Sequence, residues 1–268
     1  MTNEVQESSS WWGNFNLEAD ESRLWSIGPL RFSVCCLNNE WQVAYDHTSV
    51  MTEDEVSWEI TDTDKLTETL SNNARYVFGK STGLLTITPR LADRPVISRP
   101  ITPFSLIGDE ETTLYVSTPL WVELSVGNNQ KLLTEFPIQR PSDTWFGPST
   151  REGELCYAST THCRLNLAEL PQRSHRAITP LVIRNMAKTP LLIERLKVTT
   201  PLLPLFVSSD NQLWTPKVTL IRKQDGEMAE LKIEKVPPQD ANEAFQLSKP
   251  RTTQSSGTFI RAFNTVFR

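Results

Sequence analysis

The stretch "KVTLIRKQDGEMAELKIEK", residues 217–235, is the most informative about the fold. Two segments rich in apolar residues flank Asp225-Gly226, a dipeptide that is typical of tight hairpin turns. In the second segment Ala229, Leu231 and Ile233 alternate with charged residues. Such alternation buries one face of a strand and leaves the other in water. The stretch therefore predicts an antiparallel hairpin at the protein surface.

Two other stretches repeat this pattern. "RFSVCCLNNEWQVAYD", residues 31–46, has Asn38-Asn39 between two apolar segments, and "LYVSTPLWVELSVGNNQKLLTEF", residues 114–136, turns at Gly127. Asn tolerates the positive φ that hairpin turns need. Since neighbouring strand residues point to opposite faces, we expect only one of Cys35 and Cys36 to face the core, and Cys36 is the favoured one.

Helical patterns are scarce. "TDKLTETLSNNARYVF", residues 63–78, predicts one short helix with Leu66 and Leu70 on the same side. The sequence thus predicts an all-β fold with few short helices. It comprises one or two antiparallel β-sandwich units of immunoglobulin-like or jelly-roll-like type.

Thr-Pro dipeptides recur along the chain, and four of them continue as Thr-Pro-Leu. The residue before proline is pushed towards extended geometry, which Thr already favours. Because proline has no N–H, we expect these dipeptides at strand starts or on edge strands.

Charge and proline content suggest the domain boundaries. Acidic residues dominate the first seventy positions, and basic residues are in excess after residue 150. We predict an acidic N-terminal β domain (residues 1–140), an immunoglobulin-like β-sandwich (141–238) and a flexible tail ending in an amphipathic segment (239–268). The charge asymmetry has two interpretations. Acidic loops keep the protein in solution, or acidic and basic parts attract each other, within one chain or between copies of a homo-oligomer.

Several functional classes are disfavoured. No run of eighteen apolar residues predicts a membrane span, and the N-terminus lacks the pattern of a secretory signal. The four cysteines are therefore expected to be reduced thiols in the cytoplasm. Basic residues do not cluster with aromatic ones, so nucleic-acid binding is not expected.

The stretch "TWFGPSTREGELCYASTTHC", residues 144–163, holds the candidate binding surface: Trp145, Phe146, Glu152 and Glu154. We expect Trp145 to be largely buried beside the turn at Phe146-Gly147-Pro148. On one strand face Glu152 and Glu154 would lie about 7 Å apart. That separation suits an acid–base pair acting on a glycoside. However, nothing in the sequence would raise the pKa of either, so solvated charges are the favoured interpretation.

A metal site in the same stretch is disfavoured. Cys156 and Cys163 lack the spacing of structural zinc ligands, and His162 is adjacent to Cys163 on what should be a strand. His47 is distant in sequence. We therefore predict no metal and no cofactor. A Cys nucleophile with a His base has no recognisable third group to orient it.

The C-terminal stretch "SSGTFIRAFNTVFR", residues 255–268, is the best candidate for docking. At helical spacing its apolar residues share one face: Phe259, Ile260, Phe263, Val266 and Phe267. Extended geometry would instead align Phe259, Phe263 and Phe267 along one side. The segment packs on its own domain as a last strand or helix, docks on a partner, or stays disordered.

Three stretches carry a family resemblance: "STPLWVEL" (117–124), "RPSDTWFGPSTREGELCYA" (140–158) and "TPLVIRNMAKTPLLIERLKV" (179–198). They resemble an uncharacterised family of archaeal and bacterial proteins, known only as a domain of unknown function, over about residues 10–236. The family offers no catalytic residues to carry over. Its members often lie in genomes beside mechanosensitive channels of the small-conductance type, so the resemblance implies a channel or membrane-stress partner.

Together these observations favour a non-catalytic cytoplasmic interaction protein with a protein partner. The alternative is a carbohydrate-active β-sandwich, either a lectin-like binder or a hydrolase. Exposed Trp side chains would then stack on sugar rings, and Trp11, Trp12 and Trp145 are the candidates.

Overall fold

The chain is built almost entirely of β-strands. The structure, a computed structural model, describes residues 10–48, 58–63, 70–79, 82–149, 151–226, 228–253 and 259–263. Its strands are β1 Gly13–Asn16, β2 Ser22–Ile27, β3 Leu30–Leu37, β4 Glu40–His47, β5 Trp58–Thr63, β6 Asn72–Val77, β7 Leu84–Leu91, β8 Val96–Pro100, β9 Phe104–Leu106, β10 Glu110–Val126, β11 Lys131–Pro137, β12 Ser142–Phe146, β13 Glu154–Cys163, β14 Arg176–Asn185, β15 Leu191–Ile193, β16 Leu196–Val198, β17 Leu205–Val207, β18 Leu213–Trp214, β19 Val218–Arg222, β20 Met228–Ile233, β21 Phe245–Ser248 and β22 Phe259–Arg261. Two 3-10 turns, Leu167–Glu169 and Thr200–Leu202, are the helical elements of this described part. The predicted all-β class is confirmed.

Two units divide the chain. The first comprises Met1–Pro89 and Trp121–Gln139, and the second comprises Arg90–Leu120 and Arg140–Arg268. The chain passes from one unit to the other at 89–90, 120–121 and 139–140. Residues 90–120, however, belong to the unit that contains the C-terminal part of the chain.

The first unit contains a five-stranded antiparallel sheet in the order β5-β2-β3-β4-β6. Asn38 and Asn39 form the two-residue connection between β3 and β4, with Leu37 opposite Glu40, so this predicted hairpin is confirmed. Both Cys35 and Cys36 are buried. Cys35 is buried although strand alternation places it on the face of β3 opposite Cys36, because both faces of this strand are shielded from solvent.

An unbroken series of aromatic rings forms part of the core of this unit. Trp25 stacks on Phe32 with ring centroids 5.1 Å apart and also meets Phe15 edge-on at 5.3 Å. Phe136 contacts Phe32 at 5.5 Å and stacks on Tyr45 at 4.4 Å. β11, which carries Phe136, pairs with β10 across the turn at Gly127, so this predicted hairpin is also confirmed.

The short helix predicted within residues 63–78 falls largely on residues 64–69, which lie outside the described residues, and the described remainder of the stretch is not helical. Residues 72–77 form β6, which pairs with β4 along the edge of the sheet. Leu70 is buried outside any helix, and Leu66 lies outside the described residues. Pairing with an existing sheet edge satisfies the backbone of this segment, and it overrides a weak local helical pattern.

The second unit is organised around β14, which is buried along nearly its whole length. β10 pairs with it antiparallel on one side, while β18 and β19 pair with it parallel on the other. The hairpin at Asp225-Gly226 joins β19 to β20 and is confirmed. On β20, Ala229 and Leu231 are buried as the alternation predicted.

The Thr-Pro dipeptides fall at two kinds of position: Thr102-Pro103 and Thr189-Pro190 directly precede β9 and β15, as expected, whereas others lie inside strands. Thr118-Pro119 and Thr179-Pro180 lie inside β10 and β14, not at strand starts. Pro180 lies between Ile178, the last residue of β14 that pairs with β18, and Leu181, the first that pairs with β19. Its missing N–H therefore removes no hydrogen bond to either of these strands. The buried hydroxyl of Thr179 is hydrogen-bonded to those of Thr118, at 2.7 Å, and Thr215, at 3.0 Å.

The segment predicted to be a flexible tail contains two strands among its described residues. β21 pairs with β17, and β22 pairs with β20. Among the described parts of the whole chain, no helix has the length and apolar character needed to cross a bilayer.

Candidate functional site

The stretch around Trp145 forms half of a four-stranded sheet in the second unit, in the order β12-β13-β8-β16. β12 and β13 are antiparallel, with Trp145 opposite Leu155 and Phe146 opposite Glu154. β8 joins β13 in parallel and β16 in antiparallel orientation. Because alternate residues point to opposite faces, this pairing separates the predicted site residues into two groups.

Trp145 lies on the outer face and keeps 39% of its surface exposed. The prediction that it is largely buried was wrong, because strand alternation turns its neighbour inwards instead. Its indole is nevertheless fixed: Nε1 donates a hydrogen bond to the Ser149 carbonyl at 2.8 Å. Its strand partner Leu155 is also exposed, at 43%. Sequence analysis missed Leu155, although the pairing makes it the nearest apolar neighbour of Trp145.

The turn after β12 is closed by two glycines. A Cβ on Gly147 would lie 2.2 Å from the Glu152 carbonyl oxygen, and the φ of Gly147 is 154°. A Cβ on Gly153 would lie 2.5 Å from the indole nitrogen of Trp145. The turn predicted at Phe146-Gly147-Pro148 therefore extends to residue 153, and it holds the indole against bare backbone.

Phe146 cannot belong to a binding surface because it is fully buried, at 1% exposure. It packs with Ile97 and Cys156 on the inner face of the sheet. Two cations, the Arg195 guanidinium and the Lys197 ammonium, each lie 5.7 Å from its ring centroid. The prediction of Phe146 as a surface residue was wrong. Neighbouring residues of β12 point to opposite faces, so the alternation that exposes Trp145 buries Phe146.

Glu154 and Glu152 occupy different surroundings. Glu154 forms an ion pair with Lys197, whose side chain is only 5% exposed. Glu152 lies in the turn, where its backbone N–H donates to the Ser149 hydroxyl at 3.2 Å. Glu154 is therefore the counter-charge of a buried lysine, and the two carboxylates do not share one strand face as the sequence pattern suggested.

Arg195 and Lys197 were missed by sequence analysis. They alternate with Leu196 and Val198 in "ERLKV", residues 194–198, so a strand pattern places both cations on one face. Arg195 Nη2 donates to the Thr144 hydroxyl at 3.2 Å and to the Trp145 carbonyl at 3.1 Å. The guanidinium thus crosses from the start of β16 to the edge strand β12.

The thiols of this region are poorly suited to nucleophilic chemistry. Burial, with Glu154 nearby, raises the pKa of Cys156 to about 12, and burial raises the pKa of Cys163 to about 11. A thiol must lose its proton to act as a nucleophile or a metal ligand. All four cysteines are buried, and none of them forms a disulfide. Within the described ranges, no three His, Cys, Asp or Glu side chains are grouped to hold a metal ion.

The other residues of the sequence hypotheses are also placed. Trp11 and Trp12 are buried, so neither can stack on a sugar ring. His47 lies in the first unit, where its Nε2 is 2.8 Å from the Pro137 carbonyl oxygen. The carbohydrate hypothesis keeps Trp145 as its one exposed aromatic among the three candidates.

The described part of the C-terminal segment, residues 259–263, packs on its own unit. Phe259 and Ile260 lie in β22, so the helical interpretation is wrong for residues 259–261. Phe263 is buried and forms an isolated antiparallel bridge with Leu196, and the Lys197 amide donates to the Ala262 carbonyl at 3.1 Å. Pairing with β20 supplies backbone partners that a short helix would lack. Val266 and Phe267 lie outside the described residues.

Comparison with known proteins gives one result that bears on identity. No curated protein and no solved structure matches the chain. A family model does match it, over residues 11–268, which is nearly the full length. The resemblance noted from the three sequence stretches is thereby confirmed: the chain belongs to the family described as "Protein of unknown function (DUF432)".

Proposed function

We propose that this protein is a non-catalytic cytoplasmic interaction protein that binds a protein partner through the outer face of β12 and β13. One observation carries the proposal: Trp145 and Leu155 are cross-strand partners, both exposed, and the indole is fixed by its hydrogen bond to Ser149. A rigid aromatic side chain loses little conformational entropy on binding, and such residues dominate the energy of protein interfaces.

The surroundings of this apolar pair suit a protein interface. Asp143, on the same face of β12, is paired with Arg94 at 3.3 Å, and both are well exposed. Arg151 and Glu152 are exposed in the adjacent turn. An apolar centre with a charged rim is the usual arrangement of a protein–protein interface. Because the Trp145 carbonyl already accepts a hydrogen bond from Arg195, docking uses side chains, not strand addition to β12.

The chemistry of the second unit supports binding over catalysis. The carboxylate of Glu154 neutralises Lys197, and the Cys156 and Cys163 thiols keep their protons at neutral pH. The partner that the family resemblance implies is a membrane channel of the mechanosensitive type. We propose its cytoplasmic part as the surface that receives Trp145 and Leu155.

The test places a photo-crosslinking amino acid at position 155 in the native host, with position 192 as the matched control. Leu192 is a strand residue of the same unit with 40% exposure, against 43% for Leu155. We expect position 155, and not 192, to crosslink to a channel subunit. Binding of that purified subunit should then weaken about tenfold in Leu155→Ser, equivalent to about 1.4 kcal/mol. It should be unchanged in Leu192→Ser.

Two results would contradict the proposal. Equal affinity of the wild type and Leu155→Ser for the crosslinked protein would remove the outer face from the interface. A glycan that binds the wild type, and is lost in Trp145→Ala, would favour the carbohydrate alternative instead.

A further inference from the structure

Three basic side chains occupy one row across three neighbouring strands of the second unit. The parallel register of β13 and β8 pairs His162 with Arg99. The antiparallel register of β16 and β8 pairs Leu196 with Ser98, which places Arg195, one residue earlier, opposite Arg99. Residues in register share a face of the sheet, so the three side chains project from the same face.

This row lies at the open end of the inner face. Ile97, two residues before Arg99, is buried against Phe146 and Cys156. Arg99 and His162 are exposed, and Arg195 is half-buried. The apolar cluster of Ile97, Phe146 and Cys156 is therefore bordered by basic side chains, of which Arg99 and His162 are exposed to solvent.

The charges of the row are not balanced by the protein. Among the described residues, neither Arg99 nor Arg195 has a carboxylate partner within ion-pair distance, whereas the neighbouring Lys197 has Glu154. Like charges directly opposite each other on a sheet are destabilising. Burial and the charge of Arg99 both lower the pKa of Arg195, which indicates that the two guanidinium groups affect each other.

Arg195 is held in place although it has no counter-charge. Its Nη2 donates to Thr144 and to the Trp145 carbonyl, and its guanidinium lies over the Phe146 ring. Its Nε is shielded from solvent and has no hydrogen-bond partner in the described part of the chain. A cation fixed by neutral groups binds an anion without first losing conformational freedom.

We propose that His162, Arg99 and Arg195 form a binding site for a phosphate dianion, free or carried by a small phosphorylated molecule. The Arg99 guanidinium, the Arg195 N–H groups that remain beside its bonds to Thr144 and Trp145, and the His162 imidazole supply donors from three directions and more than one positive charge. A tetrahedral, doubly charged oxyanion can use all of them, whereas a carboxylate is satisfied by one fork. This site lies on the opposite face of the sheet from Trp145 and Leu155, and it goes beyond the proposed interaction function.

The test measures thermal unfolding and titration calorimetry of the full chain with inorganic phosphate, at constant ionic strength set with chloride. Acetate serves as the carboxylate comparison. We expect phosphate to raise the midpoint of unfolding in a concentration-dependent way, because a ligand that binds the folded state stabilises it. Acetate and chloride should not. Phosphoserine and adenosine monophosphate then show whether a carrier tightens binding beyond free phosphate.

The variants separate a specific site from general charge. Arg99→Gln alters an exposed side chain and should weaken phosphate binding about tenfold, equivalent to about 1.4 kcal/mol. Arg195→Gln should do the same, if it folds. Arg184→Gln is the matched control, since Arg184 is an exposed arginine of the same unit that is paired with Glu111. Equal phosphate binding in the wild type and Arg99→Gln, or equal effects of phosphate and chloride on the wild type, would overturn the proposal.

Discussion

The two units bury different kinds of side chain. The first contains the unbroken series of rings from Phe15 through Trp25, Phe32 and Phe136 to Tyr45. The second also contains buried aliphatic and aromatic residues, among them Phe206 and Trp214, but in addition it buries positively charged and titratable groups: His175, Arg176, Lys197 and Arg222. One core is thus stabilised mainly by non-directional burial of apolar area, and the other also depends on directional polar contacts.

Arg222 shows what the polar contacts do. Its guanidinium donates to the Asn185 amide oxygen at 3.0 Å, to the Thr189 carbonyl at 2.9 Å and to the Gly226 carbonyl at 3.2 Å. One side chain thereby links the end of β14, the loop before β15 and the β19–β20 turn. Apolar contacts tolerate small shifts between strands, but such a network is satisfied in one arrangement only. Because the buried groups of the second unit include the titratable His175, we expect this unit to be the more sensitive of the two to pH.

The largest effect is expected in the aromatic core. Phe32→Ala should lower the free energy of unfolding by about 3–5 kcal/mol, because it removes a fully buried ring and leaves a cavity. Urea denaturation at pH 7 measures the loss. Leu132→Ala, at an exposed position of the same unit, is the control and should stay within about 0.5 kcal/mol of the wild type. A small loss in Phe32→Ala would contradict the view that ring packing stabilises this unit.

The second prediction concerns pH and the second unit. Burial and the charges of Arg176 and Arg173 lower the pKa of His175 from 6.5 to about 3. Below pH 6.5 the unfolded chain takes up a proton that the folded chain cannot hold. Stability should therefore fall as the pH drops, by about 2 kcal/mol between pH 7 and pH 5 from this group alone.

Comparison of variants isolates that contribution. His175→Phe removes the titrating ring, so its stability should fall less between pH 7 and pH 5 than that of the wild type. Carboxylates contribute only at lower pH; the Arg75 hydrogen bond, for example, lowers the pKa of Glu40 to about 2. Identical pH profiles for the wild type and His175→Phe would break the comparison between the units.

The smallest effect is expected at Trp145. Trp145→Ala removes a half-exposed indole and its hydrogen bond to Ser149, so it should cost about 1 kcal/mol. Thermal unfolding measures this, with Trp145→Phe as the control that keeps most of the packing. A loss as large as that of Phe32→Ala would show that the indole is a core residue after all, and would weaken its assignment to an interface.

The sequence predicted what is local in this molecule. The turns at Asn38-Asn39, at Gly127 and at Asp225-Gly226 all join strands that are neighbours both in sequence and in space. Turn chemistry and alternation are encoded within about twenty residues, so no knowledge of distant segments is needed. In the five-stranded sheet of the first unit, β2–β3 and β3–β4 are hairpins of this kind, whereas β2–β5 and β4–β6 join strands that are not consecutive.

The candidate site was harder because its partners are distant in sequence. β8 pairs in parallel with β13 across more than fifty residues, and β16 then brings Arg195 and Lys197 to the same sheet. Alternation showed that Trp145 and Phe146 point in opposite directions, but not which of them faces inwards. That choice depends on Ile97 and Cys156, which pack on Phe146 from other strands.

The two glycines of the turn after β12 have a consequence for genetic variation. Every amino acid reached from a glycine codon by one nucleotide change carries a Cβ, and at positions 147 and 153 a Cβ would lie within 2.5 Å of another heavy atom. In a library of single substitutions selected for the folded protein, both positions should be depleted of all replacements. Replacements of Trp145 should survive that selection and be lost only when binding is selected. Comparison of the two screens would distinguish the glycines, which are needed for the folded turn, from Trp145, which is needed for binding.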